Sequence, residues 1–302
     1  MAAKTDVRVG GRTVALTRPD KVLFPDDGIT KADLARYYAA VAERMLPHTR
    51  GRPLMMERYP DGIGKRPLMQ KNAPDYFPDW IRRAEVTKVG GTVEHPIADN
   101  AATLVYLANQ ASVTLHRWLS KADKTEHPDR LVFDLDPSGD DFPAVREAAL
   151  GLRELLDELQ LDSSVMTTGS RGLHVIVALD RRADFDTVRT FAHDTAEVLA
   201  ARHPDALTTA PRKDARGGRL YLDVQRNAYA QTAVAPYSVR ARAGAPVAAP
   251  VTWDEVEKPG LTARKWTIAT VLERLDDDPW ADAPSRGQGL GAARRRLDAL
   301  RQ

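Results

Sequence analysis

The sequence predicts an α+β protein, and three observations carry that reading. Residues 130–225 alternate between strand and helix patterns in the order strand, helix, strand, strand, helix, strand. Residues 1–125 mix short strands with two long apolar-striped stretches of helical spacing. Composition is that of a globular chain: of 302 residues, 43% are hydrophobic and 28% charged, which is enough chain for more than one domain. The expected division is an N-terminal α/β subdomain at 1–125, a central subdomain at 126–250 and a C-terminal helical extension at 251–302.

Taken in order, residues 6–16 read as a hairpin turning at Gly10-Gly11. Thr30 and Asp33 form a capping-box pattern that opens a helix at 31–46, where Leu34, Tyr37, Tyr38, Val41 and Met45 keep helical spacing and Pro47 comes just after the end. Lys21 and Lys31 flank that start. Backbone N–H groups there attract anions, so the lysines suit a phosphate, although on spacing alone they also fit a solvated surface pair. Residues 51–80 interleave cations such as Arg52, Arg58, Lys65 and Lys71 with Tyr59, Tyr76, Phe77 and Trp80. That mixture suits nucleic acid, whose phosphates need charge and whose bases need flat partners; a Pro-rich loop with half-buried rings fits equally. Residues 103–119 read as a helix with His116 beside its apolar stripe.

The informative stretch is Arg130-Leu-Val-Phe-Asp134-Leu-Asp136-Pro137. Alternation along a strand puts Asp134 and Asp136 on one face and Phe133 and Leu135 on the other. Two buried carboxylates repel, so a positive partner is expected, and a divalent metal is the simplest. A helix at 142–160, strands at 163–168 and 173–179, a helix at 184–202 and a strand at 219–225 complete a ferredoxin- or RRM-like βαββαβ unit. In that plan the fourth strand lies beside the first, so Asp223 joins Asp134 and Asp136. Three such acids can hold two cations about 4 Å apart for in-line phosphoryl transfer. A second Asp-x-Asp, Asp184-Phe-Asp186, reads instead as a helix cap with a first-turn acid.

The turn Gly169-Ser170-Arg171-Gly172 joins two strands, with His174 just beyond it. Its N–H groups, Ser170 and Arg171 suit phosphate; as a bare motif it is an ordinary hairpin turn. His174 shares a strand face with Ile176 and is expected to point at the acids. Residues 231–242 read as an apolar strand ending in Arg240 and Arg242, with a short helix near 268–275 and a basic one near 290–301 beyond it. The absence of cysteine excludes disulfides and thiolate sites and fits a cytoplasmic chain. No apolar run is long enough to span a membrane. With 44 basic and 42 acidic residues, net charge (+2) decides nothing about nucleic acid.

The segments LVFDLDP, TTGSRGLHV, YLDVQRN and APYSVRAR resemble the polymerase/primase domain of bacterial DNA ligase D, within the archaeo-eukaryotic primase superfamily. The likeness extends to DKVLFPDDGITKADLARYYAAVAERMLPHTRGRP, LANQASVTLHRW and VAAPVTWDEV, nearly the whole chain in family order. It implies a primase-type core that adds ribo- or deoxyribonucleotides to a primer at gapped or broken DNA ends, with manganese or magnesium, as two ions. Asp134, Asp136 and Asp223 match its metal-binding, catalytic acids. Thr168, Ser170, Arg171, His174, Arg240 and His116 match its nucleotide contacts, and Lys21 and Lys31 the lysines that hold a DNA 5′-phosphate. Ku and a separate ATP-dependent ligase are the implied partners, and nucleoid association the implied location. No ligase segment comes after it, so a stand-alone member or excised domain is expected.

Five positions depart from the family: Leu68-Met69 replaces a phenylalanine pair, Glu57 a basic residue, Arg226 a glutamine and Gln231 a lysine. With the acids intact, catalysis is expected. The competing readings are a non-catalytic module that binds DNA ends and a metal-dependent nuclease.

Overall fold

The hairpin at Gly10-Gly11 forms as expected, with β1 (Thr5–Val9) antiparallel to β2 (Arg12–Leu16) and both glycines at positive φ. The structure is a computed structural model; it describes residues 5–88, 90–137, 139, 141–284 and 286–302. The chain divides into two compact units. Unit 1 comprises Met1–Asp123, Val234–Ala249 and Trp266–Asp277; unit 2 comprises Lys124–Ala233, Pro250–Lys265 and Asp278–Gln302. Residues 251–302, expected as one helical extension, are therefore shared between the units.

In unit 1, β3 (Val22–Phe24) and β4 (Ile29–Thr30) pair ahead of α1 (Lys31–Ala40). The capping box closes as the sequence suggests: the Asp33 N–H donates to Thr30 Oγ1 at 3.2 Å and the Thr30 N–H to Asp33 Oδ2 at 2.9 Å. The single helix expected over 31–46 is instead two. The chain breaks at Val41 and restarts as α2 (Ala42–Thr49), so Pro47 lies inside a helix and removes one backbone donor there. Next come β5 (Leu54–Arg58), β6 (Leu68–Gln70), β7 (Arg83–Lys88) and β8 (Gly91–Pro96).

The helix expected over 103–119 is also corrected. It spans only α3 (Ala101–Asn109), and Ser112–Trp118 is a strand, β9, paired with β5. Ala111, at φ +56°, makes the break. Such a backbone is costly for a residue with a Cβ, and the packing of Ala111 in the core holds it there. α1 packs against α3, which also meets the β1–β2 hairpin, α2 and β9. Apolar side chains of these helices, β5 and β9 form one core.

In unit 2, β10 (Arg130–Asp136), α4 (Phe142–Glu158), β11 (Ser163–Thr167), β12 (Leu173–Ala178), α5 (Phe185–Arg202), β13 (Leu207–Thr208) and β14 (Leu220–Asp223) succeed one another in order. The sheet runs β13, β14, β10, β12, β11 and then β16 (Pro250–Val251). Stripped of its edges this is fourth, first, third, second, the predicted ferredoxin-like order. Asp184 caps α5, accepting from the Thr187 N–H at 2.8 Å, as the sequence pattern requires. β15 covers only Thr232–Val234, so the long strand expected to Arg242 is not formed. Tyr237, at φ +65°, bends the chain away, and a bridge between Val239 and Val247 ties the next stretch to itself. α6 (Trp253–Glu257) and α7 (Leu290–Leu300) complete the helices, and Thr270–Arg274 is a single 3₁₀ turn. Among the described residues no helix is long and apolar enough to cross a membrane.

Candidate active site

Strand β10 does what its pattern requires: Asp134 and Asp136 point to one side, and Leu131, Phe133 and Leu135 are buried. Asp134 is in register with Asp223 on β14 and with His174 on β12. Topology alone thus brings together three of the predicted residues from distant parts of the sequence. Asp134 is almost fully buried, and each of its oxygens has a basic neighbour. His174 Nε2 lies 3.4 Å from Oδ1, and Arg226 Nε donates to Oδ2 at 3.2 Å. Burial pushes the Asp134 carboxyl up, but His174 and Arg226 outweigh it and hold it below the usual carboxylate range. Burial lifts Asp223; the charge of Asp134 adds to that, and the Gln225 N–H at 2.8 Å opposes it.

His174 Nδ1 is buried and has no hydrogen-bond partner among the described residues. The side chain points at the acids, as strand alternation requires.

The predicted turn is held from within by Thr168. Its hydroxyl donates to the Gly172 carbonyl at 3.1 Å and accepts the N–H groups of Gly172 and Ser170 at 3.2 and 3.3 Å. Thr168 thus shapes the turn, while Arg171 reaches out of it to Asp136 at 2.9 Å. Arg264 Nε donates to the Ser170 carbonyl at 2.7 Å. Gly172 is a close approach of two chains: a Cβ there would stand 1.8 Å from the Leu135 carbonyl oxygen.

Asp134, Asp136, Arg171, Asp223 and Arg226 line a cleft of about 390 Å³ whose walls also carry Lys213 and Arg216. Sequence reading passed over both, although the run Arg212–Arg219 was a visible basic cluster. It also passed over Asn227, which lies in the short turn after β14. The buried amide of Asn227 accepts from the Val132 N–H at 2.8 Å and donates to the Val132 carbonyl at 2.7 Å, completing the β10 edge beyond the end of β14.

The donor set fits a hard divalent cation: carboxylate oxygens on adjacent strands, two of them in mutual repulsion, at the base of a polar cleft. Guanidinium groups of Arg226 and Arg171 stand on Asp134 and Asp136. A different set, His193, Asp194 and Glu197, brings three ligand atoms within 4.8 Å of one another. It lies on α5, and its acids are already matched by Arg294 of α7 and by Arg301 just past its end, so it serves as a helix-to-helix ion pair.

Unit 1 carries the other predicted residues. Lys31 is buried at the start of α1, where its ammonium donates to the Thr17 carbonyl. Burial lowers its pKa to about 8, with Arg18, Lys21 and Arg58 adding repulsion. Lys21 is 3.3 Å from Asp61. Lys31, Arg18, Lys21 and Arg58 thus place four cations near one helix start, with Asp61 against Lys21. His116 is not on a helix: it lies on β9, its Nε2 3.6 Å from Glu57 Oε2. Tyr59 donates to Glu57 Oε1 at 2.5 Å. Burial raises Glu57, but His116 and Tyr59, with the nearby charge of Arg240, bring it down to about 2. Of the two nucleotide contacts expected in this unit, His116 thus meets Glu57, and the charge of Arg240 acts on the same carboxylate. Leu68 and Met69 are more than half exposed on β6, beside Arg58 and Glu57.

A ferredoxin-like sheet thus sets Asp134, Asp136 and Asp223 beside a cleft walled by Arg171, Lys213, Arg216 and Arg226. The chain belongs to the LigD primase-polymerase domain family, whose model matches residues 30–280. It is 37% identical over 267 residues to the multifunctional non-homologous end joining protein LigD of Mycolicibacterium smegmatis, covering 87% of this chain and 35% of that protein. A LigD of Pseudomonas aeruginosa is 33% identical over 94% of this chain and 34% of its own. The chain thus spans about a third of the length of these curated relatives. Among solved structures, the polymerase domain of Mycobacterium tuberculosis ligase D in complex with DNA superposes with a TM-score of 0.83 at 36% identity, over 88% of this chain and 95% of that one. The expected primase-type fold is thereby borne out.

Proposed function

We propose that the protein adds ribo- or deoxyribonucleotides to a DNA primer at gapped or broken ends bearing a 5′-phosphate. The observation that carries this reading is the pairing of Asp134 with Asp223 at the base of a cleft walled by cations. Asp134, Asp136 and Asp223 would hold two Mg²⁺ or Mn²⁺ ions, which supply Lewis-acid activation of the primer hydroxyl and charge neutralisation at the triphosphate. His174 keeps Asp134 ionised and oriented. Arg171, Lys213 and Arg216 draw the polyphosphate into the cleft, and the Thr168-locked turn fixes where Arg171 starts from. In unit 1, Lys31 with Lys21 and Arg58 suits the 5′-phosphate, His116 and Arg240 suit the nucleotide, and exposed Leu68-Met69 offers an apolar surface to a base.

The relatives' names support a role in end joining; on the family resemblance, a Ku-type end-binding protein and an ATP-dependent ligase would be its partners, in the nucleoid-containing cytoplasm. A second reading, a binding module without catalysis, is favoured by one observation: guanidinium groups sit on two of the three acids. Extension of a labelled primer across a short 5′-phosphorylated gap, with Mn²⁺ and either nucleotide type, separates the two. Templated addition by wild type and none by Asp134→Ala/Asp136→Ala supports the polymerase. Tight gap binding with no addition supports the module.

A further inference from the structure

Arg226 is held in place from both sides. The N–H of Gln225 before it donates to Asp223 Oδ1 at 2.8 Å, and the amide of Asn227 after it is bonded to both polar groups of Val132. The backbone of this short turn is thus fixed to β14 and β10, the two strands that carry the acids. From that anchor the guanidinium lies on Asp134 Oδ2 at 3.2 Å, while Oδ1 faces His174. Asp134 therefore has no oxygen left uncommitted. Arg226 itself is only partly buried, at 42% side-chain exposure against 9% for Asp134, and it borders the open cleft.

We propose that Arg226 is a built-in competitor for the divalent cation, occupying the Asp134 oxygen that a metal must take and swinging into the cleft when one arrives. This rests on the metal site proposed above. Guanidinium stays charged at any working pH, so protonation does not relieve the competition. Its fixed anchor keeps its local concentration high whatever the salt. Partial exposure limits its hold, so a cation can displace it, and the cleft has room for the released side chain. In the metal-free protein the same guanidinium offsets the repulsion between Asp134 and Asp223.

The test is Mn²⁺ binding itself, monitored by the paramagnetic resonance signal of the free ion, with thermal melting beside it. Arg226→Gln removes the charge and keeps a hydrogen-bonding head. It is expected to bind Mn²⁺ roughly tenfold more tightly than wild type, to melt lower without metal, and to recover more on saturation. Arg226→Lys, a charge on a shorter arm, is expected to fall between them. Equal affinity in all three chains, with wild-type binding still abolished by Asp134→Asn, overturns the competitor while leaving the metal site standing. Mn²⁺ binding that ignores Asp134→Asn, or none at all, overturns both.

Discussion

Asp134 and Asp223 stand as register partners on neighbouring antiparallel strands, so that ionising one raises the pKa of the other. A fold that wanted only stability would not pair them. Asp223→Asn removes the repelled charge and keeps an oxygen for the Gln225 N–H. Without metal this variant is expected to melt about 1–2 °C higher than wild type. It is also expected to lose saturable Mn²⁺ binding and nucleotide addition. Calorimetry in chelator and in Mn²⁺ checks both halves, and a lower melting point in chelator refutes the repulsion.

Gly172 tests the turn. A methyl group there drives into the Leu135 carbonyl and toward Asp136 Oδ1, which lies 2.7 Å from the Cβ position. Gly172→Ala is expected to cost roughly 3 kcal/mol, read from urea melts. Because the strain falls on the end of β10, addition should fail even where the chain still folds. Full activity would show that the two chains can part freely.

Asn227→Ala strands the N–H and carbonyl of Val132 in the core beside the acids. The expected loss is about 2–4 kcal/mol. Asn227→Asp keeps the acceptor and loses the donor, so it should be impaired at the carbonyl while still serving the N–H. Amide hydrogen exchange at Val132 reads the difference: fast in the alanine variant, protected in the aspartate one.

Lys31 predicts a pH dependence with opposite signs in binding and stability. Its pKa is about 8, so raising the pH from 7 to 9 strips the charge proposed to meet a 5′-phosphate. Affinity for a 5′-phosphorylated gap is expected to fall by about tenfold, the weight of one charge-assisted hydrogen bond. Lys31→Met, or a gap lacking the phosphate, should flatten that profile. The unfolded chain keeps this proton up to about 10.5. Unfolding therefore takes up a proton between about 8 and 10.5, and the lysine's burden on the fold lightens as pH rises through that window. Parallel titrations of binding and melting check the two signs.

Much of the site was readable because strand alternation and βαββαβ order are arithmetic: they place Asp134, Asp136, Asp223 and His174 on one face without coordinates. What failed failed for local reasons. Residues 103–119 are apolar on nearly every side, and a doubly buried strand then looks like a helix. The break rests on a positive φ at Ala111, where no glycine announces it. The Arg226–Asp134 pair was hidden because a 3₁₀ turn after β14, not a regular strand, sets where Arg226 points. The burial of Lys31 stems from its contact with Thr17, which sequence spacing does not encode.

The assignment of Val234–Ala249 and Trp266–Asp277 to unit 1 has a consequence for synthesis. A ribosome delivers Met1–Asp123 first, yet the core that surrounds α1 and α3 includes Tyr237, Val239, Val247 and Val271. The first unit to emerge is thus left with an open seam while the whole sheet of the second is being made. Sealing it requires contacts that span more than a hundred residues, which are slow to find. Nascent chains halted before residue 277 should expose that seam to chaperones and proteases.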